Sequence, residues 1–162
     1  DRRERLEVAH QQLEAMVGRA LPQLHRLWQV SWNIVLENVD LLHSLHPLYK
    51  IALLSNASPF LETRLRRLNI HQLFDAVVIS AVVQMAKPDP RIYQLAADRL
   101  GLSVQECVYI DDAEPFVAAA RQVGMQAIHY GIRQGEDLAS LLVQQGVPVK
   151  GAQLDLSNPS SQ

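Results

Sequence analysis

From Lys50 onward the chain alternates short apolar runs with helical patterns, and this alternation restricts the fold more than any other feature. Four runs of four residues are apolar enough to be buried strands: 51–54, 76–79, 107–110 and 127–130. Helical patterns lie between them at about 59–68, 90–100 and 115–123, and a last helix is predicted at about 136–145. Strand and helix repeated in this order predict an α/β fold, a Rossmann-like parallel sheet with helices on both faces.

The predicted helices have recognisable start and stop residues at their ends. Each residue predicted to start a helix stands directly before a proline, which is tolerated in a first helical turn: Ser58, Asp89 and Glu114. The residues predicted to end helices are of types that accept a left-handed backbone: Asn69, Gly101 and Gly124.

The pattern of apolar and polar residues divides the chain into three segments. In residues 1–47 the apolar pattern predicts two helices joined near Pro22, the second of which ends at His46 and Pro47. Residues 48–147 are predicted to form the α/β core. The polar tail, residues 148–162, is predicted to be disordered. Trp28 and Trp32 lie one helical turn apart in the first segment. A tryptophan pair on an apolar stripe is more often core packing than the wall of a substrate pocket, and core packing is the favoured interpretation.

Composition excludes several kinds of partner. The formal charge of −2 comes from 15 basic and 17 acidic residues without a basic stripe, so we expect no nucleic-acid partner. No apolar run reaches the roughly 20 residues that span a bilayer. The single cysteine, Cys107, allows no internal disulfide, fits a cytoplasmic protein and is predicted to be a buried, inert thiol.

Ligands of open parallel sheets bind beyond the carboxyl ends of the strands, and polar residues follow two of the predicted strands there. Ser55 and Asn56 come after the first strand and just before a helix, where hydroxyl and backbone N–H groups can hold an anion. Taken alone, this pair more often forms a turn or a helix cap.

The third strand ends in two adjacent carboxylates, Asp111 and Asp112. Such oxygen ligands suit Mg²⁺, which one or two protein carboxylates commonly hold while phosphate and water complete its shell. One of the two could instead cap the following helix. Lys87 lies in a loop between these elements and can neutralise carboxylates and phosphate oxygens, although a lone lysine is most often a solvated charge.

In their order, these residues resemble three motifs of the haloacid dehalogenase-like (HAD-like) hydrolases. The resemblance covers about half the chain, from Lys50 to Tyr130. It rests on three stretches and the residues that follow the last of them: Leu53–Asn56, Lys87–Tyr93 and Tyr109–Asp112, then Phe116–Ala120 with Gly124 and Met125.

The resemblance implies a HAD-like core, and it makes the N-terminal helices the remnant of a helical cap domain. By position, Ser55 would hold the transferring phosphoryl oxygen with Asn56 beside it, and Lys87 would steady the nucleophile and the phosphate. Asp111 and Asp112 would help to hold Mg²⁺. The double aspartate resembles the metal-dependent phosphatase branch more closely than the metal-free dehalogenating branch.

The family's first motif, a strand ending in Asp-x-Asp, does not occur among the 162 residues. Asp1 follows no strand, and Asp40 lies within the second predicted helix. By the resemblance, this strand would lie between those ending at Ser55 and Asp111, so the core is expected to be incomplete. A fragment of a longer protein is the favoured interpretation, although the sheet could close around the gap or a partner chain could supply a strand.

Three functions remain open at this point. The first is a Mg²⁺-dependent phosphatase for a small phosphorylated metabolite, inactive without its nucleophile. The second is a catalytically dead module that binds a phosphorylated ligand or a protein. The third is a metal-free dehalogenase.

Overall fold

The computed structural model describes residues 36–131 and 137–149, with side chains from Asn38 onward. Its helices are α1 (Leu36–Leu45), α2 (Phe60–Arg67), α3 (Ser80–Val83), α4 (Pro90–Leu100), α5 (Glu114–Gln122) and α6 (Leu138–Gln144). Its strands are β1 (Ala52–Ser55), β2 (Ala76–Ile79), β3 (Val108–Asp111) and β4 (Gln126–His129). Two 3₁₀ turns, His71–Leu73 and Val104–Glu106, precede β2 and β3.

The predicted α/β architecture with parallel strands is confirmed. β2 has the predicted bounds, and each of the other three strands lies within one residue of its prediction. The strands do not form one continuous sheet in the described part of the chain: β1 pairs in parallel with β2, and β3 pairs in parallel with β4. The core therefore contains two half-sheets.

In a parallel ladder, alternate residues turn their backbone groups toward opposite neighbours. Ile51 O accepts a hydrogen bond from Ala76 N at 3.3 Å, so Ile51 and Leu53 turn toward β2. The backbone groups of Ala52 and Leu54 consequently face away from β2.

The same alternation applies to the second half-sheet. Asp111 O accepts from Tyr130 N at 2.9 Å, so Asp111 turns toward the chain that continues β4. Val108 and Ile110 then face away from β4. Each half-sheet thus has one inner edge, defined here as the side of β1 or β3 that is turned away from its partner strand.

Arginines bind the opposite, outer edges. Arg99 Nη1 donates to Val77 O on β2 at 2.7 Å. Arg121 Nη2 donates to Ala127 O on β4 at 3.0 Å. Both arginines come from the helices that pack on the half-sheets, α4 and α5.

The hydrophobic core lies where α4 and α5 meet the strands. Buried positions along α4 recur at intervals of three and four residues, which places them on one face of the helix: Ile92, Tyr93, Ala96, Ala97 and Leu100. Around this stripe pack buried residues of the strands, of α5 and of the connecting turns: Val78, Val104, Tyr109, Ala120 and Met125.

The helix ends agree with the predictions to different degrees. Asp89 caps α4, because its side chain accepts a hydrogen bond from Arg91 N at 3.0 Å. Glu114 is the first residue of α5 and Ser58 precedes α2 by two residues, but no side-chain cap bond is present at either helix start. The residues predicted to end helices all have a positive φ: Asn69 54°, Gly101 66° and Gly124 98°.

Helix α1 ends at Leu45, as predicted from His46 and Pro47. Tyr130 Oη donates to Asn38 Oδ1 at 3.4 Å and so links α1 to the core. The first predicted helix, both tryptophans and residues 150–162 lie outside the described residues. The segment boundaries at 47 and 147 remain predictions. Within the described ranges, no helix is long and apolar enough to cross a membrane.

Candidate active site

Lys87 connects the carboxyl ends of β1 and β3, the two strands that end in predicted site residues. Lys87 Nζ lies 2.5 Å from Asp111 Oδ2 at the end of β3. The same ammonium donates to Leu54 O, on the inner edge of β1, at 3.3 Å. One side chain thus bridges the two half-sheets.

The ion pair is nearly buried, since the side chains of Lys87 and Asp111 are 8% and 10% exposed. The ammonium also lies 4.9 Å from the ring centroid of Phe116 and 5.7 Å from that of Tyr109. Aromatic faces at these distances attract a cation. The lysine is therefore held by a carboxylate, a carbonyl and two rings, which contradicts the interpretation of a solvated surface charge.

Asp111 accepts three hydrogen bonds. Lys87 Nζ and Tyr109 Oη donate to Oδ2, and Ala113 N donates to Oδ1 at 2.9 Å. Burial raises the pKa of the Asp111 carboxyl, but the hydrogen bonds from Lys87, Tyr109 and Ala113 outweigh it and bring the pKa below its ordinary value. The carboxylate is held in its charged form.

Tyr109 lies two residues before Asp111 on the same strand, so the two side chains share one face of β3. Burial, together with its hydrogen bond to Asp111, raises the pKa of Tyr109 far above the ordinary range. Its ring packs edge-on against Tyr93, with centroids 5.2 Å apart. Burial and the charge of Asp111 raise the pKa of Tyr93 to about 12.

Asn56 contacts the backbone of Lys87 with both ends of its amide. Asn56 Nδ2 donates to Lys87 O at 2.9 Å, and Asn56 Oδ1 accepts from Lys87 N at 2.8 Å. This contact joins the turn after β1 to the loop before α4. The sequence placed Asn56 in the site, but it did not indicate the backbone of Lys87 as its partner.

Ser55 is the last residue of β1 and is half-buried, directly after the Leu54 carbonyl that Lys87 contacts. The turn that follows is held by Ser80, whose hydroxyl accepts from Ala57 N at 3.1 Å and donates to Ala57 O at 3.3 Å. Ser80 was missed by sequence reasoning. Its position directly after β2 was the available signal, since the ends of neighbouring parallel strands lie together.

Asp112 differs from Asp111 in its surroundings. It is exposed, and its carboxylate makes no ion pair with a described residue. Its backbone carbonyl lies 3.0 Å from His129 Nε2. The described residues contain no cluster of three or more histidines, cysteines, aspartates and glutamates that could hold a metal by itself.

Cys107 lies immediately before β3 and is partly buried. Burial raises the pKa of its thiol, and the charge of Glu106 adds to the effect. The thiol is thus less buried than predicted, and its raised pKa favours the unreactive protonated form. Its inertness stays a prediction.

Comparison with curated proteins finds similarity to phosphatases over about half of this chain. A phosphatase of Mycobacterium tuberculosis is 40% identical over 80 residues, which are 48% of this chain and 37% of that protein. A fructose-1-phosphate phosphatase of Escherichia coli is 35% identical over 91 residues, 56% of this chain and 48% of that protein. The matched stretches span less than half the length of either relative.

A solved structure gives a longer match. A variant of a HAD-family enzyme of Bacteroides thetaiotaomicron, in complex with magnesium and inorganic phosphate, superposes with a TM-score of 0.66 at 26% identity. The superposition covers 80% of this chain and 70% of that one. A sequence model of the haloacid dehalogenase-like hydrolases matches residues 6–124. With most of its length matched, the chain belongs to the haloacid dehalogenase-like hydrolase family.

Proposed function

We propose that this chain carries the phosphate- and metal-binding side of a Mg²⁺-dependent phosphatase that acts on a small phosphorylated metabolite in the cytoplasm. The buried Lys87–Asp111 pair at the carboxyl ends of the strands is the observation that carries the proposal. The phosphatases among its relatives, one of them named for a sugar phosphate, support it.

Lys87 is the residue proposed to bind phosphate. An ammonium has three N–H donors, and two of them are used on Asp111 and Leu54 O. The third remains for an oxygen of a phosphoryl group placed beside Ser55. The Ser55 hydroxyl would donate to that group from the end of β1.

The carboxylates fit a magnesium site with divided roles. Asp111 holds Lys87 charged and in place, and its Oδ1, which accepts one hydrogen bond, keeps a lone pair for Mg²⁺. Asp112 is exposed at the same strand end and would be the second carboxylate ligand, with substrate phosphate and water in the other positions. Bound Mg²⁺ would neutralise negative charge on the phosphate.

The nucleophile is not among these residues, since the 162 residues contain no Asp-x-Asp. We propose that a strand bearing that motif completes the core between the inner edges of β1 and β3. The backbone groups of Leu54 and Ile110 face that gap by the alternation of the two ladders. The residues present would then bind phosphate without hydrolysing its esters.

The first test is thermal melting of the 162-residue chain with inorganic phosphate and Mg²⁺. A ligand that prefers the native state raises the melting temperature. We expect phosphate to raise it for the wild type and Lys50→Met, but not for Lys87→Met. An unchanged melting temperature of the wild type would contradict the proposed phosphate site. A shift that survives in Lys87→Met would assign it to other residues.

A second assay separates the enzyme from a module that only binds. The preformed Lys87–Asp111 pair, present without a nucleophile, is the observation that favours the binding alternative. We expect no phosphate ester turnover by this chain and measurable turnover once an Asp-x-Asp strand is supplied at the gap. Phosphate binding that never develops into turnover in the completed protein would favour the binding module.

A further inference from the structure

We infer that Asn56 is a positioning residue, which aligns Lys87 through the lysine backbone instead of contacting the substrate. Its amide holds Lys87 N and Lys87 O at once, at 2.8 and 2.9 Å. The inference rests on the proposed function in one respect: phosphate binding is the task for which Lys87 is positioned.

The loop around Lys87 offers little other support. Ala86 and Pro88 on either side are exposed, and the nearest backbone bond runs from Asp89 N to Ala86 O at 2.9 Å. A long lysine side chain loses conformational entropy when its ammonium is fixed. Holding the peptide groups of Lys87 at two points limits the positions from which Nζ can reach Asp111.

The geometry also separates Asn56 from its neighbour Ser55. Ser55 ends the strand, whereas the donor and the acceptor of the Asn56 amide are both directed to Lys87 across 31 residues of sequence. A residue that contacts substrate would turn at least one of these groups toward the ligand. The structure therefore gives the two residues of this pair different tasks.

Ser80 provides a matched control. Its hydroxyl likewise makes two hydrogen bonds to one backbone residue, Ala57, in the turn after β1, and neither involves Lys87. The variants Asn56→Ala and Ser80→Ala each remove a two-point contact from the same turn. Only the first should release Lys87.

The readout is the rate at which limiting acetic anhydride acylates Lys87 in the folded chain, measured by mass spectrometry relative to Lys50. We expect the ratio to rise about fivefold for each hydrogen bond removed. Asn56→Asp, which loses the Nδ2 donor, should lie between the wild type and Asn56→Ala, while Ser80→Ala should match the wild type. The ratio to Lys50 corrects for the reagent dose, and Ser80→Ala controls for any stability lost by breaking a contact in this turn.

An unchanged ratio in Asn56→Ala, or an equal rise in Ser80→Ala, would overturn the inference. If Asn56→Ala does not fold, amide exchange in the wild type decides, because the Lys87 N–H held by Asn56 must be protected in an otherwise exposed loop. Free exchange at that amide would also count against it. Neither measurement uses phosphate or Mg²⁺, so a failed phosphate test leaves this assignment standing.

Discussion

Lys87, in the loop before α4, and Asp111, at the end of β3, form an ion pair in which both side chains are at least nine-tenths buried, although they lie 24 residues apart in sequence. Taking one charge from such a pair leaves the other without compensation in a poorly solvated place. This relationship determines how the chain should respond to substitution and to pH.

Lys87→Met should lower the free energy of unfolding by about 3 kcal/mol, the lower end of the range for breaking a buried pair. The lower end applies because Tyr109 and Ala113 still donate to Asp111. Urea unfolding of Lys87→Met and of the control Lys50→Met measures the difference. The double variant Lys87→Met/Asp111→Asn should regain part of the loss, and equal costs at both lysines would contradict the buried-pair interpretation.

Acid should weaken the fold through Asp111. Its pKa is lowered from 3.8, so the folded state holds the charged form and the stabilisation is present above that value. The stabilisation is lost as the pH falls below 3.8 and through the folded pKa. The difference in unfolding free energy between the wild type and Asp111→Asn should shrink from pH 7 to about pH 3. A constant difference over that range would show that Asp111 does not titrate with folding.

Tyr109→Phe should cost about 1.5 kcal/mol, because it removes a hydrogen bond to a charged acceptor and keeps the ring. The matched variant Tyr93→Phe removes the bond from Tyr93 Oη to Phe116 O, a neutral acceptor 2.9 Å away, and should cost about 1 kcal/mol. Chemical denaturation of both variants gives the comparison. A Tyr109→Phe variant as stable as the wild type would mean that Asp111 does not depend on the phenol.

Asp89→Ala should lower stability by about 1 kcal/mol through loss of the α4 cap. Asp89→Asn keeps an oxygen acceptor for Arg91 N and should stay close to the wild type, although it loses the ion pair with Arg91. That pair is exposed, and such pairs contribute little. If both variants lose the same stability, the ion pair and not the cap is the source.

Sequence patterning predicted the elements whose signals are local. The apolar run at 76–79 became β2 without a shift, and the helical pattern at 90–100 became α4 with Asp89 as its cap. The order of Lys87 and Asp111 along the chain also anticipated that the lysine would lie beside that carboxylate. These features follow from periodicity and from the geometry of parallel strands.

The contacts that define the site are less local, and patterning missed them. Nothing near Asn56 indicates a partner 31 residues away, and the bond from Tyr109 to Asp111 requires knowing that the shared face of β3 is buried. Ser58 was expected at a helix start, yet Pro59 itself takes the cap position in a helical conformation, with φ −59° and ψ −17°. The order of elements does not specify strand pairing, but the resemblance placed a missing strand between those ending at Ser55 and Asp111, and the two half-sheets agree with that expectation.

The arginines on the outer edges occupy backbone carbonyls to which an added strand would have to bond. A strand that stacked onto β2 or β4 from outside would have to displace Arg99 from Val77 O or Arg121 from Ala127 O. Displacement exchanges an existing charge-assisted bond for a new backbone bond, so the gain is small. Edge-to-edge addition of a strand is therefore disfavoured at these two outer edges, and the inner edges of β1 and β3 remain the places where another strand can pair.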